Sequence, residues 1–382
     1  MTTPLVDIDA RAAEGEVQAT DRVGGIPLVV RPLRHAARAG FTRARVRVAD
    51  PAQAARVQAV LARYPVAPSL AVEISADAGA GVGEPAQAEP GSIAIDARAI
   101  YARDALAAAA SGGPAPQPLL RLRAPSDRAG AERLLYAQIR KSVEGDGFFA
   151  HYLIRPLTRP LSRALLGTRV SPNQVTVAAM LCGLVAAGLA AAGGALLGAI
   201  AGALYWLGNA LDCVDGDLAR LRLQSSKAGE WLDSMADEVS TFSLLAGLGI
   251  GLFREGAGDV WLAVGLGGSA IGALTVARLY VDLHRMGLPI DTAQFPWFFQ
   301  RKAGEPAAPE PAAPARPSAA SRVVGALGYL IRRDANVTGV ALLCLIDQRE
   351  VAVALVALGA LAGGAVTLVH YAVMARRRAA SG

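Results

Sequence analysis

The sequence predicts an N-terminal α/β domain followed by an all-α polytopic domain of six transmembrane helices, and three observations carry that reading. Hydrophobic residues make up 53% of the 382 residues and the mean hydropathy is +0.35, too apolar for an ordinary soluble chain of this size. The apolar residues are unevenly placed. Up to about Gly147 charges recur every few residues, whereas from Val170 onward several stretches reach the roughly 20 residues that cross a ~30 Å hydrocarbon core. The third observation is an alternation of strand-like and helix-like segments confined to the first part.

Residues 1–125 form the expected α/β domain. "ARVRVAD" (Ala44–Asp50) and "LAVEIS" (Leu70–Ser75) alternate or run apolar over strand lengths, and "PAQAARVQAVLARYP" between them reads as a helix with proline near its start. Another strand ends near Asp96, followed by a further helix, while "DAGAGVGEPAQAEPG" reads as a surface loop. The opening "MTTPLVDIDARAAEGEVQATDR" is acidic and polar where a signal sequence needs an apolar core, which assigns this domain to the cytoplasm.

Residues 126–169 are expected to be connecting and interfacial helices. Arg155, Arg159 and Arg163 recur at i, i+4, i+8, beside apolar Phe148, Tyr152, Leu157, Leu161 and Leu165. That suits a segment in the membrane surface with basic groups toward phosphates, kinked at Pro156 and Pro160. Residues 170–378 then hold six helices, at 174–193, 195–221, 229–253, 258–284, 335–347 and 351–375. The fifth is short, so it must be tilted, extended by residues before it, or buried in protein. A Pro/Ala-rich loop occupies 303–320, after an aromatic cluster at Phe295–Phe299.

"AAGGA", "REGAGD" and "DQRE" carry few basic residues, whereas the alternate loops and the tail are rich in them. This places both termini and the loop between the second and third helices in the cytoplasm. The net charge of +6 is read as attraction to anionic lipid headgroups, with no nucleic-acid partner. Cys182, Cys213 and Cys344 lie in apolar segments without metal-site spacing and read as small core residues.

The stretch "LDCVDGDLARLRLQSSKAGEWLDSMADEVS" puts carboxylates where two of these helices meet the cytoplasm. At about 100° per residue, Asp212, Asp215, Gly216 and Ala219 fall on one face of the second helix, and Asp217 points away. Gly229, Asp233 and Asp237 form a stripe on the third helix. Four facing carboxylates would repel strongly unless a cation compensates, and Arg220 and Arg222 are too few. Oxygen-bound Mg2+ or Mn2+ answers the need, two ions sharing the carboxylates being able to clamp a diphosphate. Gly216 and Gly229 would let a substrate approach the backbone.

Asp212-x-x-Asp215-Gly216-x-x-Ala219-Arg220, eight residues, then Gly229-x-x-x-Asp233-x-x-x-Asp237 resembles the full signature of the CDP-alcohol phosphotransferases. "PNQVT" (Pro172–Thr176) resembles that family's segment at the start of its first helix, and the likeness runs from roughly Gly145 to Arg378. The resemblance implies transfer of a substituted phosphate from a CDP-linked donor (CDP-diacylglycerol or CDP-inositol type) to an alcohol acceptor, with release of CMP. It implies that Asp212, Asp215 and Asp233 ligate metal and that Asp237 takes the acceptor proton while touching a second ion. Gly216, Ala219, Arg220 and Gly229 would line the CDP site.

"GGIPLVVRPLRHAARAGFTRARVRVAD" is similar to sugar-nucleotide and alditol-phosphate nucleotidyltransferases beyond their glycine-rich loop, an arrangement found in fused enzymes of inositol-phosphate metabolism. The loop itself is missing, which implies a degenerate, non-catalytic domain, with Asp96 a remnant metal ligand. Arg278 and Arg333 are candidates for binding a phosphate on the acceptor. Small residues throughout the helices suit close packing and a homodimer. Two other classes are open: a membrane prenyltransferase, which splits its acids between distant motifs, and an ion transporter, which predicts polar or ionisable residues deeper in helices four and six, where "VALVALGALAGGAVTLV" has no charge.

Overall fold

The computed structural model describes residues 5–13, 15–76, 92–288, 295–298 and 332–381; the expected 303–320 loop lies outside them. The chain divides into two compact units. The first takes the described residues up to Arg140, with Arg163–Arg169 and Asp217–Gln224; the second takes Lys141–Ser162, Val170–Gly216 and the described residues from Ser225.

The first unit is built on a parallel sheet of β1 (Leu5–Asp9), β4 (Arg43–Val48), β5 (Ala71–Ala76) and β6 (Ser92–Asp96), in the order β5-β4-β1-β6. In β4, Ala44, Val46 and Val48 are buried and the intervening arginines are not, as strict alternation requires. Helix α2 (Pro51–Arg63) starts where Asp50 accepts a hydrogen bond from the Gln53 amide at 2.7 Å, with proline in the first turn. The interior strand β1 falls in the stretch read from sequence as merely acidic. Val6 and Ile8 are fully buried, and the intervening acids are neutralised: Asp7 by Arg47 and Asp9 by Arg11.

Two further two-stranded antiparallel sheets pair β2 (Arg22–Val23) with β3 (Ile26–Pro27), and β7 (Ala99–Tyr101) with β8 (Pro118–Arg121). Gly24 and Gly25 make the first turn with φ of +60° and +85°, a conformation that disfavours side chains. Helices α1 (Val30–Arg38), α3 (Ala105–Ala110) and α4 (Arg128–Ile139) complete the unit. The Arg34 guanidinium donates to the Arg222 carbonyl at 2.6 Å, and Arg222 in turn donates to the Leu165 and Thr168 carbonyls.

The second unit is helical. After the short α5 (Val143–Asp146) comes one π-helical turn (Ala150–Ile154), which runs into α6 (Arg155–Leu166). Phe148, Tyr152, Leu157 and Leu161 are exposed, as an interfacial face requires, but Arg155 is not on the basic face expected of it. It is buried and ion-paired with Asp146, because the π turn rotates it inward.

The long helices are α7 (Pro172–Ala192), α8 (Ala195–Leu221), α9 (Lys227–Arg254), α10 (Asp259–Arg285) and α12 (Arg349–Ser381), with the short α11 (Arg333–Leu345) between the last two. Among the described residues, five helices are long and apolar enough to cross a membrane, where six were expected over the chain. Among the described residues α11 has 13 residues, about 20 Å of helix. It is buried in protein: a β-carbon on Gly202 of α8 would press against Ala341 and Cys344.

Helix α9 packs against α7, α10 and α12. Where it crosses α7, a β-carbon on Gly247 or Gly251 would collide with the Ala187 or Ala190 carbonyl oxygen, so glycine sets the separation. At the end of α9 away from its aspartates, Glu255 accepts from the Gly194 amide at 2.6 Å and pairs with Arg349 at 2.8 Å, joining three helix ends. Leu181, Val185, Leu274, Leu358 and Leu368 face outward, an exterior suited to lipid rather than water.

Gly251→Val is expected to destabilise the bundle by about 1–3 kcal/mol or more, read as a lower thermal midpoint of the purified protein in detergent. In the first unit, burial first and then Arg31, Arg38 and Arg103 push the His35 imidazole down from 6.5 to about 4. The unfolded chain therefore takes up a proton that the folded domain refuses. Stability contributed here is present above pH 6.5 and is lost as the pH falls toward 4. Amide exchange in α1 and β4 of the full chain should accelerate across that window, and His35→Gln should flatten the dependence.

Candidate active site

The chain turns from α8 into α9 at Arg222–Ser226, and the acidic residues lie on the helical turns either side. Asp212 and Asp215, three residues apart, share a face of α8; Asp233 comes from the second turn of α9. One carboxylate oxygen from each lies within 4.8 Å of the others, the one such group among the described residues. Asp215 is 5% exposed, and Asp233 has a buried Oδ1 with no hydrogen-bond partner. Three like charges so close are mutually destabilising, and an orphaned buried carboxylate oxygen adds to the cost. An all-oxygen, all-anionic donor set of this size fits a hard divalent cation.

Two features hold the set in place. Ser171 and Gln174 form a reciprocal capping box at the start of α7, with Pro172 in its first turn. That start points Thr176 at the acids, and its hydroxyl donates to Asp215 Oδ2 at 2.5 Å. Ser226 caps α9 by accepting from the Gly229 amide at 3.1 Å, which presents the first turn of that helix beside Asn173. Gly216 follows Asp215 and is half-buried.

Asp237, one turn beyond Asp233, stands outside the three-carboxylate group. Its carboxylate is ion-paired with Arg333 of α11, whose guanidinium also lies 4.0 Å from Asp212. The neighbours of Arg333 are pinned: Arg332 donates to the Val143 carbonyl at 3.1 Å, and Asp334 accepts from the Ala150 amide at 3.1 Å. Ala219 and Arg220 occupy the last turn of α8, where Arg220 donates to Asp217 at 3.0 Å. Asp217 is nearly fully buried.

Beside Asp237 opens a cavity of about 520 Å3, lined with Ser234, Glu238, Thr275, Asn336 and Arg333 among its polar groups. Arg278 is not part of this lining. It is half-exposed, pairs with Asp282 at 3.1 Å and stacks on Tyr371 with 5.0 Å between guanidinium and ring centre. Sequence reasoning missed the roles of Thr176 and the cavity-lining side chains. Thr176 had a signal, since it closes the "PNQVT" segment; Thr275 and Asn336 had none.

In the first unit, Asp96 sits level with Asp9 at the carboxyl ends of adjacent strands. Arg11 pairs with Asp9 at 2.9 Å, whereas Arg98 lies 3.6 Å from Asp96 and is shared with Glu16 at 2.7 Å.

Residues 169–302 match the model of the CDP-alcohol phosphatidyltransferase family. Among individual proteins, the chain is 36% identical over 144 residues to the bifunctional IPC transferase and DIPP synthase of Thermococcus kodakarensis, covering 37% of this chain and 31% of that one. It is 32% identical over 154 residues to the protein of the same name from Aquifex aeolicus, covering 40% and 35%. The archaetidylinositol phosphate synthase of Pyrococcus horikoshii is 35% identical over 97 residues, 25% of this chain and 50% of that protein. The chain thus spans about a third of the length of the bifunctional relatives it matches.

Mn2+ binding, followed by electron paramagnetic resonance of the purified protein, is expected to weaken at least about 100-fold in Asp215→Asn and Asp233→Asn. Thr176→Val, which removes only the hydrogen bond to a ligand, should cost roughly 10-fold. Equal binding in all three variants would rule out this metal site.

Proposed function

We propose that the protein is an integral membrane transferase that moves a substituted phosphate from a CDP-linked donor to an alcohol, with Mg2+ or Mn2+ as cofactor. The observation that carries this reading is the convergence of Asp212, Asp215 and Asp233 beside a cavity that Asp237 lines. Asp212, Asp215 and Asp233 would hold the metal, with Asp237 available to a second ion. The metal, when bound, would neutralise charge on the donor diphosphate. Gly216, Ala219, Arg220 and Gly229 would line the cytidine-diphosphate site, the two glycines permitting close approach to the backbone.

Asp237 takes the proton from the acceptor hydroxyl. The freed oxygen bonds to the donor phosphorus that bears the alcohol substituent, the bridging P–O bond breaks, and CMP leaves with that electron pair. Arg333 is the cationic partner of Asp237 before substrate arrives. The same arginine lines the cavity and is placed to meet a phosphate on the acceptor. Arg278 drops out of the reading, being committed to Asp282 and Tyr371.

The names of the relatives favour inositol-type chemistry, and with it either CDP-inositol or a CDP-lipid as donor. The reaction is assigned to the cytoplasmic face, with both termini, because the basic loops flank this end of the helices. The N-terminal domain is read as non-catalytic, since Asp9 pairs with Arg11, Asp96 lies near Arg98 and the phosphate-cradling loop is missing.

Purified protein with Mg2+ should release CMP from CDP-diacylglycerol or CDP-inositol when inositol, inositol phosphate or glycerol phosphate is supplied. Asp237→Asn should lower kcat roughly 100- to 10,000-fold, with metal-dependent CDP binding retained. Absence of both CMP release and metal-dependent CDP binding in the folded wild type would defeat the proposal.

A further inference from the structure

The cavity beside Asp237 contains a second carboxylate that the reaction above does not use. Glu238 follows Asp237 on α9 and lines the same space. Whereas Asp237 is neutralised by Arg333, the Glu238 carboxylate pairs with no cation and accepts no hydrogen bond among the described residues. It is half-buried within a bundle whose exterior is apolar. An ionisable group in that setting without a partner raises the free energy of the empty protein, which is reason to look for a ligand that supplies the partner.

The remaining lining narrows the chemistry. Thr275 and Asn336 are neutral groups that both donate and accept, and Phe242, Val276 and Val356 line the same space. A long-chain alcohol would leave these polar groups and Glu238 unpaired. A small molecule bearing several hydroxyls would satisfy them, since two neighbouring hydroxyls can donate to the two oxygens of one carboxylate. The position suits that role: Glu238 is adjacent in sequence to the proposed base, so hydroxyls it holds belong to the same small molecule as the hydroxyl that reacts.

We propose that Glu238 determines acceptor specificity, selecting a small polyhydroxylated alcohol by accepting hydrogen bonds from hydroxyls near the one that attacks. The proposal rests on the transferase reading above. It commits to a polyol, free or phosphorylated, because the carboxylate reads hydroxyls and a phosphate on the same molecule would fall to Arg333.

The test uses full-length wild type, Glu238→Gln and Glu238→Ala in detergent micelles with Mg2+. Binding of myo-inositol, inositol 1-phosphate and ethanolamine is measured by isothermal titration, with CDP binding followed in parallel as the control for folding. Affinity for both inositol probes should fall roughly 10- to 100-fold in Glu238→Ala and by less in Glu238→Gln, with CDP affinity unchanged. In turnover, KM for the polyol should rise by a similar factor. Unchanged inositol affinity in Glu238→Ala, loss confined to the phosphorylated probe, or tighter binding of ethanolamine than of either polyol would overturn the inference while leaving the transferase intact. A wild type that binds no CDP in the presence of metal would instead remove the transferase reading, and this inference with it.

Discussion

Three carboxylates held within 4.8 Å of one another are the constraint around which the helical unit is organised. Asp212, Asp215 and Asp233 repel, and nothing local to either helix would keep them together. What holds them is packing at a distance. Glycines at 247 and 251 bring α9 onto α7 at backbone contact, and Thr176 of α7 reaches Asp215. At the far end, Glu255, Gly194 and Arg349 tie together three helix ends. The free energy released by that packing offsets the repulsion and leaves the acids preorganised for a cation.

The same constraint explains why cationic side chains are rationed at the site. Arg333 approaches Asp237 and Asp212 without entering the three-carboxylate group, and its placement depends on its neighbours. Arg332 is held by the Val143 carbonyl and Asp334 by the Ala150 amide, so the segment that begins the helical unit also positions the guanidinium at its centre. Arg220 and Arg222, the other basic groups nearby in sequence, are engaged elsewhere: Arg220 with Asp217, Arg222 with carbonyl groups around Leu165. Both are thus committed to other partners, and the divalent cation proposed above would supply compensating charge to the three acids.

The N-terminal unit illustrates the opposite solution to the same problem. Its sheet also carries acids, but Asp7 pairs with Arg47, Asp9 pairs with Arg11, and Asp96 lies near Arg98, which it shares with Glu16. Charge compensated within the chain leaves no demand for an ion.

Much of this molecule was legible in the amino-acid order, because the signals are periodic and local. Alternation in "RARVRV" marks a strand, long apolar runs mark membrane helices, and i, i+3 and i, i+4 spacing places each pair of aspartates on one face. Strand β1 was equally legible, with Val6 and Ile8 alternating against Asp7 and Asp9, but net acidity masked the period. Only the tertiary structure decided that α11, short already by sequence, is buried in protein, that Arg155 turns inward, and that Asp237 meets Arg333, 96 positions along the chain, rather than joining the other three acids. Nor does any spacing reveal that Glu238, Thr275 and Asn336 surround one cavity. Helix periodicity tells which way a side chain faces along its own axis; which partner it meets depends on how separate helices cross, and that is set by backbone contacts between glycines and carbonyls far apart in sequence.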